Sequence, residues 1–476
     1  MLIQINRSDK FREECGLMAV WNHKEAANIA YLGLYAQQHR GQEGAGVVAL
    51  NRQANSKFSI HKGRGLVSDV FEEFDFNLLP GDTAIGHVRY STAGGNVMSN
   101  VQPFFAEISV GRMALAHNGN LINADELRAE LIADGSIFSS TSDTEVVIHL
   151  IARNPAHQPL VENVIGALKR VKGAYSFVML FQDRILAVRD PAGLRPLCLG
   201  RLGDSYIVAS ETCAFDLLDA EYVRDIEAGE LVEISGDNKI TSYFPFARQK
   251  ESPCIFEYVY FARPDSSVFG RNVYEIRKRL GTELARESPV KNADVVVPVP
   301  DSGTAAALGF AQETKLPLEL GLIRNHYVGR TFIEPKQTIR DFGAKVKLNP
   351  NPGALKGKVI VVVDDSIVRG TTSRKLVAML RKAGAKEIHM RISAPPTTDP
   401  CYYGIDTPKK EELIASHKSV DGIAEFIGVD SLAYLSVEGL YRAVNAKNGT
   451  MCDACFTGNY PIGTPQMQGK KQAPLF

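Results

Sequence analysis

The sequence predicts two domains of different construction: an N-terminal half of stacked sheets covered by helices, and a C-terminal α/β half built on a parallel sheet. Three observations carry this. The chain has 476 residues, more than a single hydrophobic core usually serves. Up to about residue 250 short apolar runs bounded by Gly, Asp and Asn follow one another with only a few helical patterns between them. Beyond that point wholly apolar runs alternate with helical ones, as strands buried on both faces of a parallel sheet do.

In order, the first half places strands at 58–63, 83–90, 112–117, 174–181, 184–190, 206–211 and 229–235, and helices at 25–40, 124–135 and 143–154. Groups of strands with helices between them suggest sheets stacked under a helical cover. The second half reads helix 272–287, strand 293–300, helix 303–314, strand 358–365, helix 373–384 and strand 387–394.

Composition excludes several classes of function. Apolar residues make up 45% and charged ones 23%, a globular balance. Lys+Arg and Asp+Glu are both 54, so neither a nucleic acid nor an anionic membrane is expected as partner. No apolar run reaches membrane-spanning length, and the first residues lack the apolar stretch of a secretory signal. The expected compartment is the cytoplasm. The seven cysteines, at 15, 198, 213, 254, 401, 452 and 455, are an odd number and fit a disulfide framework poorly.

The strongest local signal is Val361-Val362-Val363-Asp364-Asp365-Ser366-Ile367-Val368-Arg369-Gly370-Thr371-Thr372-Ser373. An apolar strand ends in two carboxylates, and a hydroxyl- and Gly-containing loop then opens a helix. Backbone N–H groups at such a helix start bind anions, and the hydroxyls add donors. Asp364 and Asp365 stand where open α/β sheets bind ligands, and can accept bonds from sugar hydroxyls directly or through hydrated Mg²⁺. An ordinary capped turn would not need two acids before R-G-T-T. The stretch resembles the phosphoribosyl-diphosphate signature of type I phosphoribosyltransferases. That resemblance implies that Asp364 and Asp365 hold the ribose hydroxyls, while Ser366 and Arg369, Gly370, Thr371 and Thr372 cradle the 5′-phosphate. It also implies a diphosphate loop in the segment 295–304, with Ser302 touching the metal, and a flap from Arg324 through Arg340 that closes over the diphosphate.

In the first half, Cys15 begins Cys-Gly-Leu, Arg89 ends a strand, Asn118-Gly119 reads as a tight turn, and Ser142-Asp143-Thr144-Glu145 opens a helix. Each has a plain structural reading: a buried thiol, a surface charge, a hairpin turn, a capping box. In this order and spacing they resemble the class II glutamine amidotransferases of the N-terminal-nucleophile type. With the phosphoribosyl half attached they resemble the glutamine amidophosphoribosyltransferases, over nearly the whole chain. The resemblance implies an αββα N-terminal-nucleophile hydrolase sandwich followed by a type I phosphoribosyltransferase domain. Cys15 would be the nucleophile, Asn118 and Gly119 the oxyanion hole, and Arg89 and Asp143 the ligands of the glutamine α-carboxylate and α-ammonium. An N-terminal cysteine supplies its own base, because a free α-amine has a pKa of about 7.7–8.0. Residues 1–14 are therefore expected to be a propeptide. The amidotransferase domain then spans 15–248, the phosphoribosyltransferase domain 249–456, and a tail 457–476.

Cys452-Asp453-Ala454-Cys455 is ambiguous between zinc, redox and iron–sulfur roles. One branch of the resembled family carries a leader and four such cysteines, implying a [4Fe–4S] cluster on Cys254, Cys401, Cys452 and Cys455. Cys198 and Cys213 lie in strand-like segments and are expected in the core. The resemblance further implies a homotetramer inhibited by purine nucleotides. Two readings compete: another class II amidotransferase, such as a sugar aminase, which the D-D-S-I-V-R-G-T-T loop disfavours, and a non-catalytic sensor of phosphoribosyl diphosphate, which the intact Cys15, Arg89, Asn118 and Asp143 disfavour.

Overall fold

Gly16–Trp21 is buried along its whole length, because it runs through the middle of one sheet and is covered on both faces. A computed structural model describes residues 15–54, 56–90, 97–154, 158–325 and 348–465. The expected propeptide, most of the expected flap and the last eleven residues lie outside that set. The first sheet is antiparallel and has seven strands, in the order Glu221–Asp225, Cys198–Leu202, Ser205–Ala209, Gly16–Trp21, Thr83–Arg89, Gly44–Asn51 and Lys57–Gly63. Side chains alternate across it. Leu17, Ala19 and Trp21 pack against Ala114, Ala116, Val178 and Leu180 of a second sheet. Met18 and Val20 point the other way, onto the helix Ala26–Ala36.

The second sheet, also antiparallel, runs Lys239–Tyr243, Leu231–Ser235, Arg184–Arg189, Gly173–Phe181, Gly111–Leu121 and Phe104–Ile108. Its outer residues Met113, Leu115, Tyr175, Phe177 and Met179 carry the helices Ala124–Ala133, Thr144–Arg153 and Leu160–Leu168. Helix, sheet, sheet, helix is the expected layering. In the second domain four parallel strands, Val295–Pro298, Val359–Asp364, Glu387–Ile392 and Ser431–Tyr434, form one sheet. Val361 and Val363 face the helices Val273–Glu287 and Thr304–Thr314. Ile360 and Val362 face Thr371–Lys382 and Val420–Ile427.

A buried polar chain joins the domains. Arg40 binds Glu211 through Nε and donates from Nη2 to Glu257 Oε2 at 2.5 Å. Arg195 donates to the other Glu257 oxygen at 3.2 Å and, through Nε and Nη2, to the carbonyl of Tyr403 at 3.0 Å each. All four charged side chains are essentially inaccessible to solvent. Removing one member of such a set leaves its partner charged and bare, typically about 3–5 kcal/mol.

Three local expectations are corrected. Asn118-Gly119 is not a turn but lies inside the strand Gly111–Leu121, paired with Ser176 and Tyr175. Cys213 opens a short helix, Cys213–Leu217, although it is buried as expected. The expected tail begins too early at 457, since Tyr460 and Ile462 pack with Tyr403 and the Tyr403 hydroxyl donates to the Gly463 carbonyl.

Candidate active site

The sheet register brings the amidotransferase residues together. Gly16 pairs with Val88, which puts Cys15 beside the end of the strand that carries Arg89. The Cys15 Sγ lies 3.8 Å from the Tyr90 carbonyl and is nearly buried. Asn118 reaches the same place from the other sheet. Its Nδ2 is 3.4 Å from the Ser210 hydroxyl, and that hydroxyl accepts the Leu17 amide at 3.0 Å. Gly119 has φ +142°, and a Cβ there would stand 2.0 Å from the Ala174 carbonyl oxygen, so only glycine fits.

Asp143 precedes the helix Thr144–Arg153, and its Oδ2 accepts the Leu121 amide at 2.9 Å. The expected capping box does not form: Glu145 instead accepts the amides and hydroxyls of Ser139 and Ser140. Burial raises the Asp143 carboxyl, but His117, the Leu121 amide and Thr144 outweigh it and hold the group below the usual carboxylate range. Burial likewise lowers Arg89, while the nearby Cys15, Glu43 and Asp143 favour its charge. One guanidinium and one carboxylate thus lie near a buried thiol. Such a set can grip the two charged ends of an α-amino acid.

At the other site the strand Val359–Asp364 delivers Asp364 to the carboxyl edge of the parallel sheet, and Asp364, Asp365 and Ser366 are all buried. Ser366 donates to Asp365 at 2.6 Å, and Ser302 lies 3.4 Å from Asp364 Oδ1. Ser302, from the expected diphosphate loop, thereby meets the acidic pair. Gly370 caps the helix Thr371–Lys382 with φ +77°, and Thr371 and Thr372 form its first turn, where helix N–H groups can bind anions. The Arg369 side chain is turned to Glu412, at 2.7 and 3.0 Å. Arg324, the first residue of the expected flap, pairs with Asp301; residues 326–340 lie outside the described set.

The four remaining thiols also converge. Cys254 and Cys452 form a backbone bridge, the Tyr403 amide points at the Cys401 sulfur at 3.3 Å, and Cys455 feels Cys254, Cys452 and Cys401 electrostatically. Burial pushes Cys452 and Cys455 well above the ordinary thiol range. Among the described residues no three His, Cys, Asp or Glu side chains form a ready-made cage for a single ion. Sequence reasoning did not find Ser210, which ties Asn118 to the strand that follows Cys15; a lone serine in a strand-like run carries no pattern.

Known proteins bear on both sites. A glutamine amidotransferase domain family matches residues 87–216, and a phosphoribosyl transferase domain family matches residues 272–418. The amidophosphoribosyltransferase of Bacillus subtilis is 51% identical over 94% of this chain and 94% of its own length. That of Methanocaldococcus jannaschii is 48% identical over 94% and 97%, and a chloroplastic one of Arabidopsis thaliana 52% over 95% and 80%. Among solved structures, one described as the allosteric regulatory enzyme of purine biosynthesis superposes with a TM-score of 0.90 at 50% identity, covering 95% of this chain and 97% of that one. The B. subtilis enzyme complexed with ADP and GMP superposes at 0.89 and 49%, covering 95% and 98%. With both domains in place, in this order and at this identity along almost the whole length, the chain belongs to the amidophosphoribosyltransferase family.

Proposed function

We propose that this enzyme moves the amide nitrogen of glutamine to C1 of 5-phosphoribosyl 1-diphosphate, giving phosphoribosylamine, glutamate and diphosphate, the committing step of purine synthesis. The observation that carries it is the convergence of Cys15, Arg89, Asn118 and Asp143 from four separate segments in one domain, beside an acidic pair and helix start in the other. Once residues 1–14 are removed, the Cys15 amine takes the thiol proton as sulfur adds to the amide carbon, then delivers it to the leaving ammonia. Water hydrolyses the thioester to glutamate. Ammonia displaces diphosphate at C1.

The oxyanion needs donors, and Asn118 can provide one. Ser210 accepts the Leu17 amide, so its own proton is available to Asn118. With the carboxamide turned to take that proton on oxygen, its NH₂ fills the buried position whose Oδ1 has no partner among the described residues. The Gly119 N–H is the second donor.

Asp364, Asp365 and Ser302 are hard oxygen donors suited to Mg²⁺, which when bound offsets the charge of the departing diphosphate. Cys254 and Cys452, both buried, with the half-buried Cys401 and Cys455 suit a [4Fe–4S] cluster, whose span exceeds that of a single-ion cage. Bound there, it would tie the 452–455 segment to the strand-like 254 region. Purine nucleotides as feedback inhibitors, a homotetramer and a cytoplasmic location complete this reading; the nucleotide-bound B. subtilis relative supports the first. Among the described residues no helix is long and apolar enough to cross a membrane.

The test is glutamine labelled with ¹⁵N in its amide, given with phosphoribosyl diphosphate. Label in phosphoribosylamine with matching release of diphosphate is expected; glutamine hydrolysis with the diphosphate left intact would overturn the reading. Anaerobic purification should yield brown protein with about four irons per chain, whereas a colourless, zinc-loaded and fully active protein would exclude the cluster.

A further inference from the structure

Behind Asp143 lies a set of polar groups that the reaction itself does not use. Gln102, His117 and Thr144 are each at most 4% exposed. They come from three segments and meet at one atom, the Thr144 hydroxyl. Gln102 Nε2 reaches it at 3.1 Å and His117 Nδ1 at 3.0 Å, and the hydroxyl itself lies 3.2 Å from Asp143 Oδ1.

The proton positions follow from simple counting. The His117 backbone amide donates to Gln102 Oε1 at 2.8 Å, so the oxygen end of that carboxamide is fixed and Nε2 must be the end facing Thr144. Gln102 is therefore a donor to the hydroxyl. His117 Nε2 is buried beside Phe177 with no partner among the described residues. A proton there would be a stranded donor, which costs more than a bare acceptor, so the ring carries its proton on Nδ1. His117 is then also a donor to Thr144. With both lone pairs taken, the Thr144 proton has one destination, Asp143.

We propose that Gln102, His117 and Thr144 are positioning residues for the amide donor, a one-way relay that holds the Asp143 carboxylate in a single orientation toward the α-ammonium of glutamine. The Leu121 amide fixes the second oxygen at 2.9 Å, so both carboxylate oxygens are anchored from the protein side. The relay also joins three segments of the site: the stretch leading out of 97–103, the strand of Asn118, and the start of the helix Thr144–Arg153. This inference rests on the assignment of Asp143 to the α-ammonium, and the experiment separates the two.

Glutamine hydrolysis is compared with hydrolysis of the analogue that lacks the α-amino group, in wild type, Asp143→Asn, Thr144→Val and Thr144→Ser. In Thr144→Val the glutamine KM should rise about 10- to 100-fold, the span of one charge-assisted bond. kcat should fall less, and the preference for glutamine over the analogue should drop by a similar factor. Thr144→Ser, which keeps the hydroxyl, should recover most of that preference. If Asp143→Asn leaves the preference at the wild-type value, the Asp143 assignment fails and the relay with it. If Asp143→Asn erodes the preference and Thr144→Val does not, the relay alone is wrong. Equal losses on glutamine and analogue in Thr144→Val would make Thr144 merely structural, and would also overturn it.

Discussion

The two sites are assembled in opposite ways. The candidate phosphate site is nearly one continuous segment: strand, acidic pair, Gly370 and helix start lie within 359–372, joined among the described residues by Ser302. The glutamine site has no such segment. Cys15, Arg89, Asn118 and Asp143 come from four elements of two sheets and a helix, and are aligned by strand register and by Ser210. A contiguous site depends on local backbone geometry, whereas a dispersed one depends on the rigidity of the sandwich that holds it. Substitutions should therefore act differently in the two halves.

The largest effect expected is from Cys15→Ala, which should abolish glutamine-dependent synthesis while retaining synthesis from high external ammonia. Parallel assays with the two nitrogen sources check it. A folded variant that loses both reactions would show that the sites do not divide the labour.

Next, Asn118→Ala should lower glutamine kcat by roughly 100- to 1,000-fold, the usual cost of one oxyanion donor, with a smaller change in KM. A change confined to KM would place Asn118 in ground-state binding instead.

Asp364→Asn or Asp365→Asn should weaken phosphoribosyl diphosphate by about 10- to 100-fold, read by direct titration, and leave glutamine binding alone. Unchanged affinity in both variants would remove the acidic pair from the site.

The smallest effect sharpens the contrast most. The Arg369 side chain is paired with Glu412 at the surface, and such pairs contribute only about 0–1 kcal/mol. If the phosphate is held by the loop backbone, Arg369→Ala should shift its affinity by no more than about threefold on the same scale. A hundredfold loss would show that the guanidinium swings from Glu412 onto the phosphate.

The same contrast explains what could be read in the sequence. The Val361–Ser373 signature is legible because its chemistry and its geometry share one stretch of chain. The parallel sheet was equally plain, since strands such as Val359–Asp364 are apolar on both faces. Asn118-Gly119 misled, because a two-residue pattern that favours a hairpin turn here lies within a long strand. A Cβ at Gly119 would meet the Ala174 carbonyl of the neighbouring strand, so the need for glycine there comes from information that is not local. Glu145 misled similarly: its spacing from Ser142 suits a capping box, but the Ser139–Ser140 amides offered it more bonds. Short edge strands such as Phe104–Ile108 and Glu221–Asp225 went unseen for want of a continuous apolar face.

The carboxylate of Glu257 divides itself between two arginines of the other domain, one oxygen for each. That arrangement bears on modularity. An amidotransferase domain cut free of its partner would carry two guanidinium groups shaped to meet an anion that is no longer there, and the severed partner would carry the anion. Transplanting this ammonia-generating domain onto a different acceptor enzyme would therefore require more than a compatible linker. The new host would have to present an acidic side chain at the place where Glu257 stands, or the graft would begin its life with an electrostatic wound at the seam.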